Sequence, residues 1–111
     1  MTKLYTLKLN KDFKTAYYHG KTFVHPLLIL YVRKNREKVS RIGITTGKKI
    51  GGAVQRNRCR RIIREAYRPF AARLQGHYDL VFVARKATVE TTSTKLHAVI
   101  GDMLKKAGLP L

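Results

Sequence analysis

Arg56-Asn57-Arg58-Cys59-Arg60-Arg61-Ile62-Ile63-Arg64-Glu65-Ala66-Tyr67-Arg68 places six arginines and one acid in thirteen residues. At about 100° per residue, Cys59, Ile62, Ile63, Ala66, Tyr67 and Phe70 fall on one arc. Arg60, Arg61, Arg64, Arg68 and Asn57 crowd the opposite arc. The spacing predicts a helix from Ala53 to Arg68 that buries one face and presents guanidinium groups on the other. Such a helix suits a polyanion, because arginine stays charged and its planar fork matches phosphate oxygens two at a time. A solvated face would usually pair bases with acids at i, i+4. Here only Glu65, four residues after Arg61, can do so. Arg56 to Arg68 spans ~18 Å of helix at 1.5 Å per residue, enough to meet several phosphates.

On either side the chain alternates strands and helices. Asn10 to Tyr18 reads as a helix capped by Asn10 and left at Gly20, with Phe13, Ala16 and Tyr17 on one face. Phe23 to Arg33 reads as strand, interrupted near its start by Pro26, so a short strand can precede the main one. Leu27 to Val32 is continuously apolar, as in a strand covered on both faces. Arg41 to Thr46 puts Ile42 and Ile44 on one side, Gly43 and Thr45 on the other. A glycine-bounded basic loop, Gly47-Lys48-Lys49-Ile50-Gly51-Gly52, leads into the arginine helix, and Pro69 predicts a break or kink at its end. Tyr78 to Arg85 reads as strand and Lys86 to Thr92 as a loop. Thr92 or Ser93 caps a last helix striped by Leu96, Val99, Ile100, Met103 and Leu104, which Gly108 and Pro110 end. The order α-β-β-α-β-α, with a short extra strand near residue 23, predicts an α+β sandwich in a single domain, residues 1–111.

Twenty-four Lys and Arg against six acids give a net charge of +18. That charge costs the compact state self-repulsion, which a bound polyanion offsets. An acidic membrane is the rival polyanion. No apolar run nears the ~20 residues of a spanning helix, and no signal peptide is evident, so a cytoplasmic protein is expected. Cys59 is the only cysteine, so neither an internal disulfide nor a cysteine zinc cluster can form. His19, His25, His77 and His97 pair with nothing at metal or acid–base spacing, and Asp12, Asp79 and Asp102 are scattered. A catalytic centre made by the protein itself is not expected. Lys48 and Lys49 can offer point charges beside backbone N–H groups, and Asn57 an amide for sugars or base edges. Phe13, Tyr17, Tyr18, Phe23 and Tyr31 can stack on unpaired bases, or equally pack the core.

Gly43, Lys48-Lys49, Gly51, Ala53-Val54, Arg56-Asn57-Arg58, Arg60-Arg61 and Arg64-Glu65, preceded by Asp12-Phe13, Tyr17 and His19-Gly20, resemble the signature of the bacterial ribonuclease P protein subunit. The resemblance covers nearly the whole chain. It implies a left-handed βαβ crossover through the arginine helix, against the usual hand. It implies a protein that assists a catalytic RNA in removing the 5′ leader of precursor tRNA, with magnesium required by the holoenzyme and no protein partner. Carried over by position, Arg56, Asn57, Arg58, Arg60, Arg61, Arg64 and Arg68 would face the catalytic RNA or the cleavage site. Phe13, Tyr17, Tyr31, Lys48 and Lys49 would line a cleft for the leader. Tyr17 stands where the family commonly has phenylalanine, which adds a hydroxyl. Three other readings remain: a structural RNA-binding protein, a protein-only nuclease, and a DNA-binding protein, the last disfavoured by the lack of helix-turn-helix or zinc spacing.

Overall fold

A computed structural model of the chain describes residues 3–111; Met1 and Thr2, the start of the expected domain, lie outside the described residues. The elements are β1 (Tyr5–Thr6), α1 (Asn10–His19), β2 (Lys21–His25), β3 (Leu28–Lys34), β4 (Arg41–Thr45), α2 (Ala53–Ala71), β5 (Tyr78–Ala84) and α3 (Ser93–Lys106). One-turn 3₁₀ segments lie at Lys48–Ile50 and Lys86–Glu90. The strands form one mixed sheet in the order β1-β4-β5-β3-β2, flanked by helices in an α+β arrangement.

β4 and β5 are parallel neighbours, β3 runs against β5, and β2 runs against β3. Strand alternation therefore gives the sheet two distinct faces. One carries Leu28, Leu30, Val32, Ile42, Leu80 and Phe82, and packs against Cys59, Ile62, Ile63, Ala66, Tyr67 and Phe70 of α2 and Leu96, Ile100, Met103 and Leu104 of α3. All six residues of the apolar arc expected for the arginine helix are buried. Fully burying side chains such as Ile63 and Leu80 contributes about 1.5–3 kcal/mol each. The other face carries Gly43, Val81 and Tyr31, and is covered by Phe13 and Ala16 of α1. A Cβ on Gly43 would stand 2.5 Å from the Phe13 ring, so only glycine admits α1 this close.

The connections have a topological consequence. β1 runs through α1 to β2, and β4 runs through α2 to β5; each joins parallel strands and moves the same way across the sheet. Their helices lie on opposite faces. The two crossovers therefore have opposite hands, and one breaks the right-handed rule.

The short strand expected ahead of the main one is β2, which ends before Pro26, and β2 and β3 form a hairpin whose turn is fastened by the Leu27 N–H donating to His25 Nδ1 at 3.0 Å. Several expectations need correction. β3 is buried on one face only: Leu28, Leu30 and Val32 are covered, whereas Ile29 and Tyr31 are half-exposed because α1 spans part of the sheet. Asn10 lies inside α1, whose N-cap is Leu9. α2 does not break at Pro69 but runs to Ala71. The proline ring is exposed, and the same turn is held from α3: His97 Nδ1 lies 3.0 Å from the Ala66 carbonyl and its ring stacks on Phe70 at 4.4 Å. Thr92 does cap α3, accepting from the Lys95 N–H. β1, two residues long, carries too little pattern for a sequence reading to find.

Asp79, 1% exposed, joins the sheet's parts. Its carboxylate accepts from Arg41 Nε and Nη2 at 2.9 Å each and from Asn35 Nδ2 at 2.8 Å, with Arg33 at 3.8 Å. The side-chain hydrogen bond to Asp79 holds the Arg41 guanidinium above its usual range.

Desolvation pushes the Tyr67 phenol up to about 12, whereas an unfolded phenol ionises near ~10. Between those values the unfolded chain binds fewer protons than the folded one, so stability falls as pH rises through this window. Tyr67→Phe should remove about 2–3 kcal/mol of that fall, measured by urea melts at neutral and alkaline pH. Parallel pH profiles for both chains would contradict a buried, neutral phenol.

Candidate nucleic-acid interface

α2 displays its cations because its apolar arc is committed to the sheet. Arg61, Arg64 and Asn57 are exposed, and Arg56, Arg60 and Arg68 half-exposed. Arg60 donates to Asn57 Oδ1 at 3.3 Å, ordering one guanidinium across a helical turn. No ion pair forms to Arg61 or Arg64 among the described residues, and Glu65 leaves them free.

Arg58 is placed differently from the rest of the expected set. Its Nε donates to the Val89 carbonyl and its Nη2 to the Thr91 carbonyl, both at 2.9 Å. It thereby fastens α2 to the segment entering α3. Four residues before Ile62, and so about 40° from it around the helix, Arg58 flanks the apolar seam and stands apart from the arc that holds Arg60, Arg61 and Arg64.

The face left open by α1 forms the second part of the surface. Thr45, Val83, Ile29 and Val24 are successive register partners across β4, β5, β3 and β2. This row is partly or largely exposed, with Val24 at 67%. At one end lies a cleft of about 400 Å³ lined by Asn10, Phe13, Lys14, Tyr17, Thr45 and Arg60, among others. The Tyr17 hydroxyl lies 2.9 Å from Thr45 Oγ1, so the extra oxygen on this ring has a partner. At the other end is a cleft of about 720 Å³ where Lys49 meets Ile29, Arg85 and Lys86. Strands lie ≈ 4.8 Å apart, so the row connects the clefts over about 10 Å.

Phe13 and Tyr17 therefore share one cleft, joined there by Arg60 of α2, while Lys49 belongs to the other. Lys48 is exposed on the same 3₁₀ turn. Tyr31 lies beneath Tyr17, edge to ring at 4.9 Å, and supports the aromatic wall rather than lining either cleft. Lys14, Arg85 and Lys86 were missed from sequence. Lys14 follows Phe13 directly. Arg85-Lys86 and Lys48-Lys49 each follow one of two parallel strands, β5 and β4, and so emerge at the same sheet end. That pairing is the signal that would have found them.

Aromatic rings beside cations suit single-stranded nucleic acid, since every base has a face to stack and every residue a phosphate. Among the described residues no cluster of three or more His, Cys, Asp or Glu side chains can hold a metal ion. No helix of the described residues is long and apolar enough to cross a membrane. Burial raises the Cys59 thiol, which keeps it protonated in the core.

Comparison with known proteins identifies the family. The family model described as Ribonuclease P matches residues 1–108. The ribonuclease P protein component of Clostridium kluyveri is 40% identical over 108 residues, covering 96% of each chain. That of Clostridioides difficile is 38% identical, covering 95% of this chain and 93% of the relative. Among solved structures, the Staphylococcus aureus RNase P protein superposes with a TM-score of 0.84 at 29% identity, covering 98% of this chain and all of that one. The Thermotoga maritima RNase P protein gives 0.79 at 27% identity, covering 91% and 96%.

Arg58→Ala should lower stability by about 2 kcal/mol, because two carbonyls lose charge-assisted donors. Arg64→Ala should leave the melting temperature within a degree or two. Thermal melts of the two variants that coincide would contradict the separation of a clamping arginine from free ones.

Proposed function

The chain belongs to the bacterial ribonuclease P protein family, RNA-binding subunits of that ribonucleoprotein, and on this premise we propose a specific division of labour on its surface. Arg56, Asn57, Arg60, Arg61, Arg64 and Arg68 of α2 contact the catalytic RNA beside the cleavage site. The open face, from Phe13 and Tyr17 past Thr45, Val83 and Ile29 to Lys49, Arg85 and Lys86, holds the single-stranded 5′ leader of precursor tRNA. The observation that carries this reading is Arg60, which stands on the arginine helix and also lines the aromatic cleft. A leader held there ends beside α2, where the RNA performs the cleavage.

The protein's part is binding and orientation. Rings stack on bases whatever their identity, and cations meet the backbone, so leaders of varied sequence are accommodated. Arginines near the scissile phosphate add positive potential that lowers the cost of crowding RNA strands together. Magnesium, when held by the catalytic RNA, would supply the chemistry for phosphodiester hydrolysis. Arg58 acts by fixing α2 rather than by touching RNA. The left hand is assigned to the β4–α2–β5 crossover, supported by the opposite hands of the two connections. The work is cytoplasmic in this reading, and no protein partner is required.

The decisive experiment is multiple-turnover cleavage of a precursor tRNA at low magnesium, with protein alone, catalytic RNA alone, and both. Stimulation only in the combined arm is expected. Cleavage by the protein alone would make it a nuclease, and tight binding without stimulation would make it a structural RNA-binding protein. Within the holoenzyme, Tyr17→Ala should weaken precursor tRNA by roughly tenfold, the loss of one stacked base, and leave mature tRNA unchanged. Equal losses for both substrates would remove the leader from this cleft.

A further inference from the structure

A second cationic cavity lies at the opposite end of the sheet. It holds about 380 Å³ and is lined by His19, Lys21, Arg33, Lys34, Tyr78 and the chain leaving α3 at Ala107 to Leu109, among others. Lys21 pairs in register with Val32, and Lys34 with Tyr78, so both lysines stand on the face that carries α3. Both are exposed, and no lining residue is acidic. Asp79, the nearest carboxylate in register, is buried and already accepts from Arg41 and Asn35.

One ordinary explanation is that these cations serve the carbonyls at the end of α3. The helix end does not need them. Gly108, at φ 74°, lets its N–H donate to the Lys105 carbonyl while the Leu109 N–H donates to that of Leu104. These two bonds form a Schellman motif, which satisfies the last carbonyls from the backbone. The lysines are therefore left with no internal task, in a chain whose repulsion between cations favours an external anion.

We propose that this cavity binds backbone phosphates of a second RNA segment, distinct from the one met by α2 and from the leader. Lys34 lies five residues along β3 from Ile29 on the cleft floor, about 16 Å at strand rise. Lys21 and Lys34 also stand on the sheet face opposite to that of Ile29 and Tyr31, so the sheet itself lies between these lysines and a leader in the cleft. Lys21 and Lys34 supply point charges, and His19 and the Tyr78 hydroxyl can donate; Arg33 stands at the rim, its guanidinium 3.8 Å from Asp79. The chemistry reads phosphate and ribose, not base identity, and fits a structured part of the catalytic RNA. The inference rests on the ribonuclease P reading, since it takes that particle's RNA as the source of the phosphates.

The test is binding of the intact protein to the catalytic RNA across a salt series, for wild type, Lys21→Gln/Lys34→Gln and Arg64→Ala. The double variant should bind more weakly and reduce the slope of log affinity against log salt by about 1.5. Its melting temperature and its discrimination between precursor and mature tRNA should match wild type. Wild-type affinity and slope in the double variant, with Arg64→Ala still impaired, would overturn this inference and leave the proposed function standing. Insensitivity of both variants would overturn the proposed function as well. Lower melting temperature with unchanged RNA binding would assign the lysines to packing against α3. Lost discrimination with unchanged RNA affinity would assign them to the leader. Either result overturns the second contact.

Discussion

Asp79 gathers donors from three parts of the chain around one buried carboxylate. Arg41 comes from β4, Arg33 from β3 and Asn35 from the connection between them. A carboxylate buried this deeply is tolerated only when nearly every lone pair is met. The bidentate geometry of Arg41 suits a single register of β4 on β5, the one in which Arg41 faces Asp79. Arg41 also reaches Asp12 of α1 at 3.8 Å. The charged cluster thus sets the parallel pair that α2 spans and touches the first turn of the helix that walls the aromatic cleft.

The rest of the molecule solves a problem of charge. With +18 on 111 residues, a compact fold must keep its cations apart and outward. α2 does so by committing one arc to the core and giving the other to solvent. α1 does so by covering only part of its sheet face, which leaves an apolar row between cationic ends. Gly43 makes that partial cover close, and a methyl group there would lift Phe13 away from β4. Apolar floor, aromatic wall and basic rims are all by-products of how the helices are seated.

Much of this was legible in the residues. The seam from Cys59 to Phe70 was readable because a 3.6-residue period running through unbroken helix leaves little ambiguity. The Gly43/Thr45 face was readable from alternation. What failed to show was non-local. Lys49 and Arg85 meet only because β4 and β5 are parallel, and no local pattern announces that pairing. Arg58 looks like its neighbours in sequence, and its different task depends on carbonyls at Val89 and Thr91, more than thirty residues away. Pro69 was read by its local rule, yet the helix runs two residues past it, with His97 of α3 against the Ala66 carbonyl and the Phe70 ring. The resemblance implied a hand for the crossover, which patterning cannot address; the opposite faces occupied by α1 and α2 give the two connections opposite hands.

The sheet order also bears on how the chain emerges from the ribosome. β2 and β3 can zip as a hairpin once residue 34 is out, but β4 then has only the two-residue β1 beside it. Its main partner, β5, follows the whole of α2. For that interval the nascent chain carries an arginine-rich helix whose apolar seam has no sheet to rest on. Closing such long-range pairs is slow, and exposed seams invite association in the meantime. The guanidinium groups on that helix repel those of neighbouring nascent chains, so the charge serves the protein before it has folded as well as after.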